Sequence, residues 1–298
     1  MATQEDGKTP NLSQEEQQDV DKNQPPRAAV LHEIIRTQGD QELERSVAAL
    51  WWSALAAGLT MGLSLMAMGL LNSRLPDGEA FKVIASFGYC AGFLAVILAR
   101  QQLFTENTLT AVLPVMSKLT LNNVGRLLRL WGVVLCGNLA GTLLVAWVML
   151  RLPIFDTQTD LAFLEIGRKV MENDVYKMLA KGIISGWMIA TMVWMIASME
   201  SAKIAIIVMI TYLMALGDFT HIVVGSVEVS YLVYAGEVSW GDFWLLFAGP
   251  TLAGNIIGGS FIFALISHAQ IRSERDVIAK RERDKHKLLE ELRRTRKD

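Results

Sequence analysis

Arg100-Gln101-Gln102-Leu103-Phe104-Thr105-Glu106-Asn107 interrupts one long apolar stretch, and Gly217-Asp218-Phe219-Thr220-His221 interrupts another. The surrounding stretches, 81–117 and 203–235, are far longer than the roughly 20 residues of a straight membrane crossing. Each therefore reads as two half-helices joined by a short loop. Phe-Thr-x stands in both breaks, as Phe104-Thr105-Glu106 and Phe219-Thr220-His221. Each is followed by Gly-Asn-x-x-Gly, first as Gly137-Asn138-Leu139-Ala140-Gly141 and then as Gly254-Asn255-Ile256-Ile257-Gly258. The same landmarks in the same order in two halves predict an internal repeat. Paired broken apolar segments point to a transport site near the membrane midplane.

Outward from the breaks, the chain of 298 residues is 52% hydrophobic, with its charges gathered at the ends, which marks a polytopic membrane protein. Six apolar segments are predicted, at 47–71, 81–117, 124–150, 178–198, 203–235 and 243–268. The expected fold is all-α, with six transmembrane helices in two inverted three-helix repeats and helices 2 and 5 broken. Residues 1–26 read as a disordered acidic tail, 27–46 as a cytoplasmic amphipathic helix with Leu31, Ile34 and Ile35 on one side, 47–270 as the transport domain and 271–298 as a charged cytoplasmic helix or tail. Lys118, Arg126 and Arg129 in the 2–3 connection and the bases of the C-terminal tail place both termini in the cytoplasm. The basic 3–4 connection, at 151–177, runs against that count; its length, its acids and an amphipathic helix of its own account for it.

Three spans per repeat is an odd number, so the two repeats lie in opposite orientation. The second half-helices of segments 2 and 5 then start at the midplane, and their N-termini face one another with unpaired N–H groups and partial positive charge. Thr105 and Thr220 read either as N-caps or as hydroxyls on a pathway, and the two readings are compatible. His221 is the histidine nearest the centre of a span and the strongest pathway candidate, able to exchange a proton near neutral pH. Glu106 takes the matching position in the other break, either paired with His221 or bonded to its own loop. Leu103, Phe104 and Phe219 read as apolar constrictions or as core, and Asn138 and Asn255 as ties to the broken loops. Arg100 and Asp218 read either as pathway charges or as residues that stabilise the breaks, the second reading being favoured. The sequence shows no phosphate-binding glycine loop with its lysine, no metal-ligand cluster and no nucleophile–base pair, which predicts a non-enzyme without a cofactor.

These residues resemble the formate/nitrite transporter family over about 30–270. Leu103-Phe104-Thr105 with Asn107 is similar to the family's Leu-Phe-Thr-x-Asn loop, Phe219-Thr220-His221 to its Phe-Glu-His, and Gly254-Asn255-Ile256-Ile257-Gly258-Gly259 to its Gly-Asn-x-x-Gly-Gly. The resemblance implies an aquaporin-like protomer in a homopentamer in the bacterial inner membrane, with passage of small monovalent anions. It also implies a pathway narrowed on both sides of one histidine and formed by Leu103, Phe104, Thr105, Asn107, Phe219, His221 and Asn255. Thr220 stands where the family has glutamate, Glu106 where it has a small residue, and Gly186 and Gly225 where it has asparagines; Lys169 and Lys177 are the candidates for its external lysine. The carboxylate thus changes sides of the central pair, and Glu106 with His221 becomes the expected proton-transfer pair. The leading function is a channel or secondary transporter for small monovalent anions, proton-linked through His221, with protons and the lipid bilayer as further partners and no nucleic acid. A channel for small neutral solutes is the alternative, and a membrane scaffold that holds partners by its charged tails is a third class.

Overall fold

The computed structural model describes residues 13, 15–16, 26–76, 78–273 and 283. The expected acidic tail and the charged C-terminal helix lie almost wholly outside these residues. Ten helices carry the described chain: α1 Ala28–Glu44, α2 Val47–Asn72, α3 Ala80–Leu98, α4 Val112–Ser117, α5 Leu121–Arg151, α6 Thr157–Met171, α7 Val175–Ser198, α8 Lys203–Leu216, α9 Ile222–Ala235 and α10 Trp240–Ser273. Five of them, α2, α3, α5, α7 and α10, are long and apolar enough to cross a membrane.

Their starts follow local chemistry. Ser46, Thr120, Asp156, Asp174 and Ser239 each accept a backbone N–H of the first turn of the helix that follows, which satisfies donors that have no partner within the helix. Gly236 ends α9 at φ 83, a left-handed conformation that glycine adopts without steric cost.

The polar stretch after α3 departs from the expected half-helix. A single 3₁₀ turn, Glu106–Thr108, leads into the six-residue α4. Side chains compete with the helix ladder here: Thr108 Oγ1 donates to the Thr105 carbonyl, Thr110 Oγ1 to that of Glu106 and Asn107 Nδ2 to that of Leu103. Such local bonds offer the backbone an alternative to helix. The second break is more regular, with α8 and α9 standing as two 14-residue helices on either side of it.

Helix pairs α2–α5 and α7–α10 cross at glycine contacts of the same design. Gly141 lies against the backbone of Leu55 and Leu59, and Gly258 against that of Ile183 and Trp187. Small residues let the backbones meet where lipid supplies no hydrophobic drive for association. Gly186 presses on the Asn255 carbonyl, so this position has no room for the asparagine side chain of the family pattern. Gly258→Ala is expected to lower the midpoint of thermal unfolding in detergent, by the equivalent of about 1–3 kcal/mol for an overpacked contact. Gly132→Ala, where an added Cβ meets nothing within 4 Å, is expected to hold or raise it by up to about 1 kcal/mol.

At one end of the bundle α1 docks by its buried Leu31, Ile35, Gly39 and Leu43. The docking is reinforced where Arg129 donates to the Leu43 carbonyl at 2.7 Å and where His32 Nε2 lies 3.3 Å from His268 Nδ1. The opposite end is covered by α6, whose Arg168 grips Glu237 through Nε to Oε2 at 2.7 Å and through a second guanidinium contact. That fork holds the Glu237 carboxyl below the usual glutamate range.

Candidate functional site

The two breaks are built alike. Arg100 has φ 52 and Asp218 has φ 50. In each case the residue's N–H returns to the carbonyl three positions back and the next N–H to the carbonyl five positions back, Ile97 and Val96 in one break, Ala215 and Met214 in the other. This pattern ends a helix with a left-handed residue and uses its last carbonyls. Both residues thus end their helices through the backbone, and the Asp218 side chain also places a charge on the wall of a cavity.

Each break is then held by an asparagine from a neighbouring glycine-rich helix. Asn138 Oδ1 accepts from the Phe104 N–H at 2.9 Å, and its Nδ2 donates to the carbonyls of Gln102 and Ala54, both at 2.8 Å. Asn255 Oδ1 accepts from the Ile222 N–H at 2.9 Å, and its Nδ2 donates to the carbonyls of Thr220 at 3.1 Å and Gly182 at 2.9 Å. These bonds set the correspondence between the halves, with Gln102, Leu103 and Phe104 matching Thr220, His221 and Ile222. The expected correspondence of Glu106 with His221 is corrected: the position that matches His221 is Leu103. A three-letter likeness ranks side chains, whereas the correspondence is decided by which backbone groups the asparagines hold.

His221 is 1% exposed and is itself the N-cap of α9. Its Nδ1 accepts from the N–H groups of Val223 and Val224, both at 3.3 Å, and its Nε2 lies 2.7 Å from Thr105 Oγ1. Acceptance at Nδ1 assigns the hydrogen of the neutral ring to Nε2, which donates to Thr105. The edge of the ring contact is closed by Phe93, with centroids 5.1 Å apart. Neither threonine caps a helix. Thr105 Oγ1 meets His221, and Thr220 Oγ1 donates to the Met178 carbonyl at 3.0 Å. The α9 terminus also differs from the expected array of unpaired donors, because Asn255 and His221 take the N–H groups of Ile222, Val223 and Val224. What remains at this terminus is the partial charge of the helix end.

A cavity of about 220 Å³ opens from the α6 end and is lined by Tyr89, Lys169, Asp218, Phe219, His221 and Glu228, among others. Lys169 Nζ pairs with Asp218 at 2.7 Å. Thr220 also lines the cavity, so Phe219, Thr220 and His221 come together on its wall. Leu103, Phe104 and Thr105 are fully buried, and Phe104 packs against Trp131. Asn107 ties the first loop internally, donating to Gln102 Oε1 while its carbonyl accepts from Trp131 Nε1. Lys177, the other lysine candidate, has an exposed position outside the cavity wall.

Glu106 and His221 are not paired. No hydrogen bond or ion pair joins them among the described residues, and both ring nitrogens are already used. The electrostatic neighbours of Glu106 are Lys203 and Glu42, toward the α1 end. The carboxyls that share the cavity with His221 are Glu165, Asp218 and Glu228, of which Glu228 stands on the same helix. Glu228 was not singled out in the sequence because it sits in a continuous apolar run. The available signal was its spacing: Glu228 follows His221 by two helical turns with Gly225 between, on one face of α9.

The sequence profile of the formate/nitrite transporter family matches residues 29–269. The chain is 57% identical over 250 residues to the inner membrane protein YfdC of Escherichia coli (strain K12), covering 84% of this chain and 81% of that protein. It is 24% identical over 203 residues to the formate channel FocA of Haemophilus influenzae, covering 60% of this chain and 70% of that one. Among solved structures, a pentameric formate channel with formate bound superposes with a TM-score of 0.65 at 19% identity, over 76% of this chain and 97% of its own. An ion channel of the same family gives 0.61 at 20% identity, over 80% of this chain and 94% of its own. From the profile match across the whole apolar region and the identity to YfdC, this transmembrane protein belongs to the formate/nitrite transporter family.

Proposed function

We propose that the protein is a channel or secondary transporter for small monovalent anions of weak acids, formate and nitrite being the type, moving together with a proton. The observation that carries this reading is the cavity at the α6 end of the helix bundle, whose wall includes the buried His221. There the buried imidazole presents one N–H, at present on Thr105. Turned toward an arriving anion, that N–H offsets its charge where lipid and the buried Leu103 and Phe104 offer nothing. The proton link is made while the anion is held at this histidine. Formate channels among the relatives and structural neighbours support the solute class.

The architecture that fits this activity has six crossings in two inverted three-helix repeats, α8 and α9 forming one broken crossing. The matched asparagine clamps and matched glycine crossings support it. The pentameric neighbour supports a homopentamer, and the resemblance to YfdC supports placement in an inner membrane. Lys118, Arg126 and Arg129 gather at the α1 end, which supports cytoplasmic termini and an outward-facing cavity.

Purified protein in liposomes is expected to take up formate, nitrite, acetate, lactate or hydrosulfide faster than empty liposomes when the cavity side is acidified. Absence of uptake for all five overturns the reading. The carboxyls of Glu165, Asp218 and Glu228 on the cavity wall favour a second reading, a channel for small neutral solutes. Stopped-flow swelling with such solutes, without anion uptake, identifies that case.

A further inference from the structure

We propose that Glu228 carries the proton that accompanies the anion, handing it over in the cavity while the anion is held at His221. This rests on the anion-transport reading above.

Glu228 is 5% exposed, lines the cavity with His221, and has no hydrogen bond or ion pair among the described residues. Gly225 lies between the two on the same face of α9 and is also on the cavity wall. The Phe247 ring occupies the space a side chain at Gly225 would fill, and the carboxyl and the imidazole both border the same cavity beside it. The surrounding groups can be taken element by element. From α6 come Glu165 and Lys169, and Lys169 is engaged by Asp218 of the break. From α3 come Lys82 and Tyr89, and from α10 comes Phe247, which does not ionise. Neither α2 nor α5 adds an ionisable side chain to the wall. Asp218 and Tyr89 are the electrostatic neighbours of Glu228, one a carboxylate and the other a buried hydroxyl without a hydrogen-bond partner. A carboxylate held at this depth without a cation is costly, and a proton removes the cost.

His221 is poorly suited to supply that proton. Its neutral ring has the hydrogen on Nε2, and giving it up leaves an imidazolate. Charging the ring first requires a proton on Nδ1, which breaks the two bonds that cap α9. Glu228 has no such obligation. The step balances simply: the O–H of the Glu228 carboxyl breaks, an O–H or S–H forms on the anion, and the solute continues as its neutral acid. Glu228 is left as a carboxylate, toward which the unpartnered Tyr89 hydroxyl donates. Water at the cavity mouth then returns the proton. The ligand class follows from the chemistry. Conjugate bases of weak acids accept this proton, whereas chloride and nitrate do not.

Glu228→Gln keeps the size and a hydrogen-bond donor but has no proton to transfer. In proteoliposomes acidified on the cavity side, the unmodified protein is expected to accumulate formate about tenfold per pH unit of gradient. Glu228→Gln, checked for unchanged assembly by gel filtration, is expected to lose that accumulation. Retained gradient-driven accumulation in Glu228→Gln overturns the proposal and leaves the anion reading intact. Absence of uptake of all five solutes named above by the unmodified protein overturns the anion reading itself. A second measurement needs no variant: a hydrophobic carbodiimide, which attacks protonated carboxyls, is expected to label Glu228 by peptide mapping, block uptake, and be slowed by formate. No label on Glu228 in the folded protein overturns the proposal, and this result also decides the case if Glu228→Gln carries no flux at all.

Discussion

Asn255→Ala is expected to leave little correctly assembled protein, with a thermal midpoint in detergent far below that of the unmodified chain. The Asn255 side chain is fully buried and is the link between the second break and α7. Its removal leaves the Ile222 N–H and the Thr220 carbonyl without their partner. Each buried orphan costs about 1–3 kcal/mol. Two of them, on the order of 2–6 kcal/mol together, are a large fraction of the about 5–15 kcal/mol that holds a domain folded. Water cannot substitute readily, because non-helical backbone at membrane depth persists only where protein satisfies it. Asn138→Ala is expected to act alike on the first break, through the Phe104 N–H and the Gln102 carbonyl. Wild-type thermal stability in either variant would show that the loops support themselves and that the matched clamps are incidental.

His221→Ala and His221→Asn are expected to separate folding from transport. Alanine removes the cap of α9, costing about 0.5–2 kcal/mol, while asparagine is among the best N-caps and restores it. Both remove the Nε2–H that meets Thr105 and, in the proposed function, the anion. A hydrogen bond to a charged group contributes about 1.5–3 kcal/mol, so both variants are expected to lower anion uptake by about 10- to 100-fold. The predicted pattern is a lowered thermal midpoint only in His221→Ala and lowered uptake in both. Uptake equal to the unmodified protein in the stable His221→Asn would remove His221 from the transport mechanism.

The amount of the site legible in the sequence depends on the range of the interactions that build it. The breaks at 100–107 and 217–221 were readable because a polar run inside an apolar one is a local signal. His221 was readable for the same reason. The pairing of Glu106 with His221 failed because it assumed that like letters occupy like places. Thr108, Thr110 and Asn107 turn the first break into a 3₁₀ turn, and the asparagine bonds shift the correspondence to Leu103. Glu228 and Tyr89 come from different helices and meet only across the cavity, and His32 meets His268 from opposite ends of the described chain. No local pattern announces such meetings.

By itself the sequence determined that this chain is a helical membrane protein with two interrupted apolar segments, glycine-rich crossing helices and one histidine at a break. Those properties follow from hydropathy, backbone propensity and spacing, which are written within a few turns of chain. Only the tertiary structure decided that the histidine caps its own helix and meets Thr105, that two asparagines hold the breaks, and that Glu228 shares a cavity with the histidine. Those outcomes depend on which buried donors and acceptors from distant segments satisfy one another, and that is settled only when the helices pack.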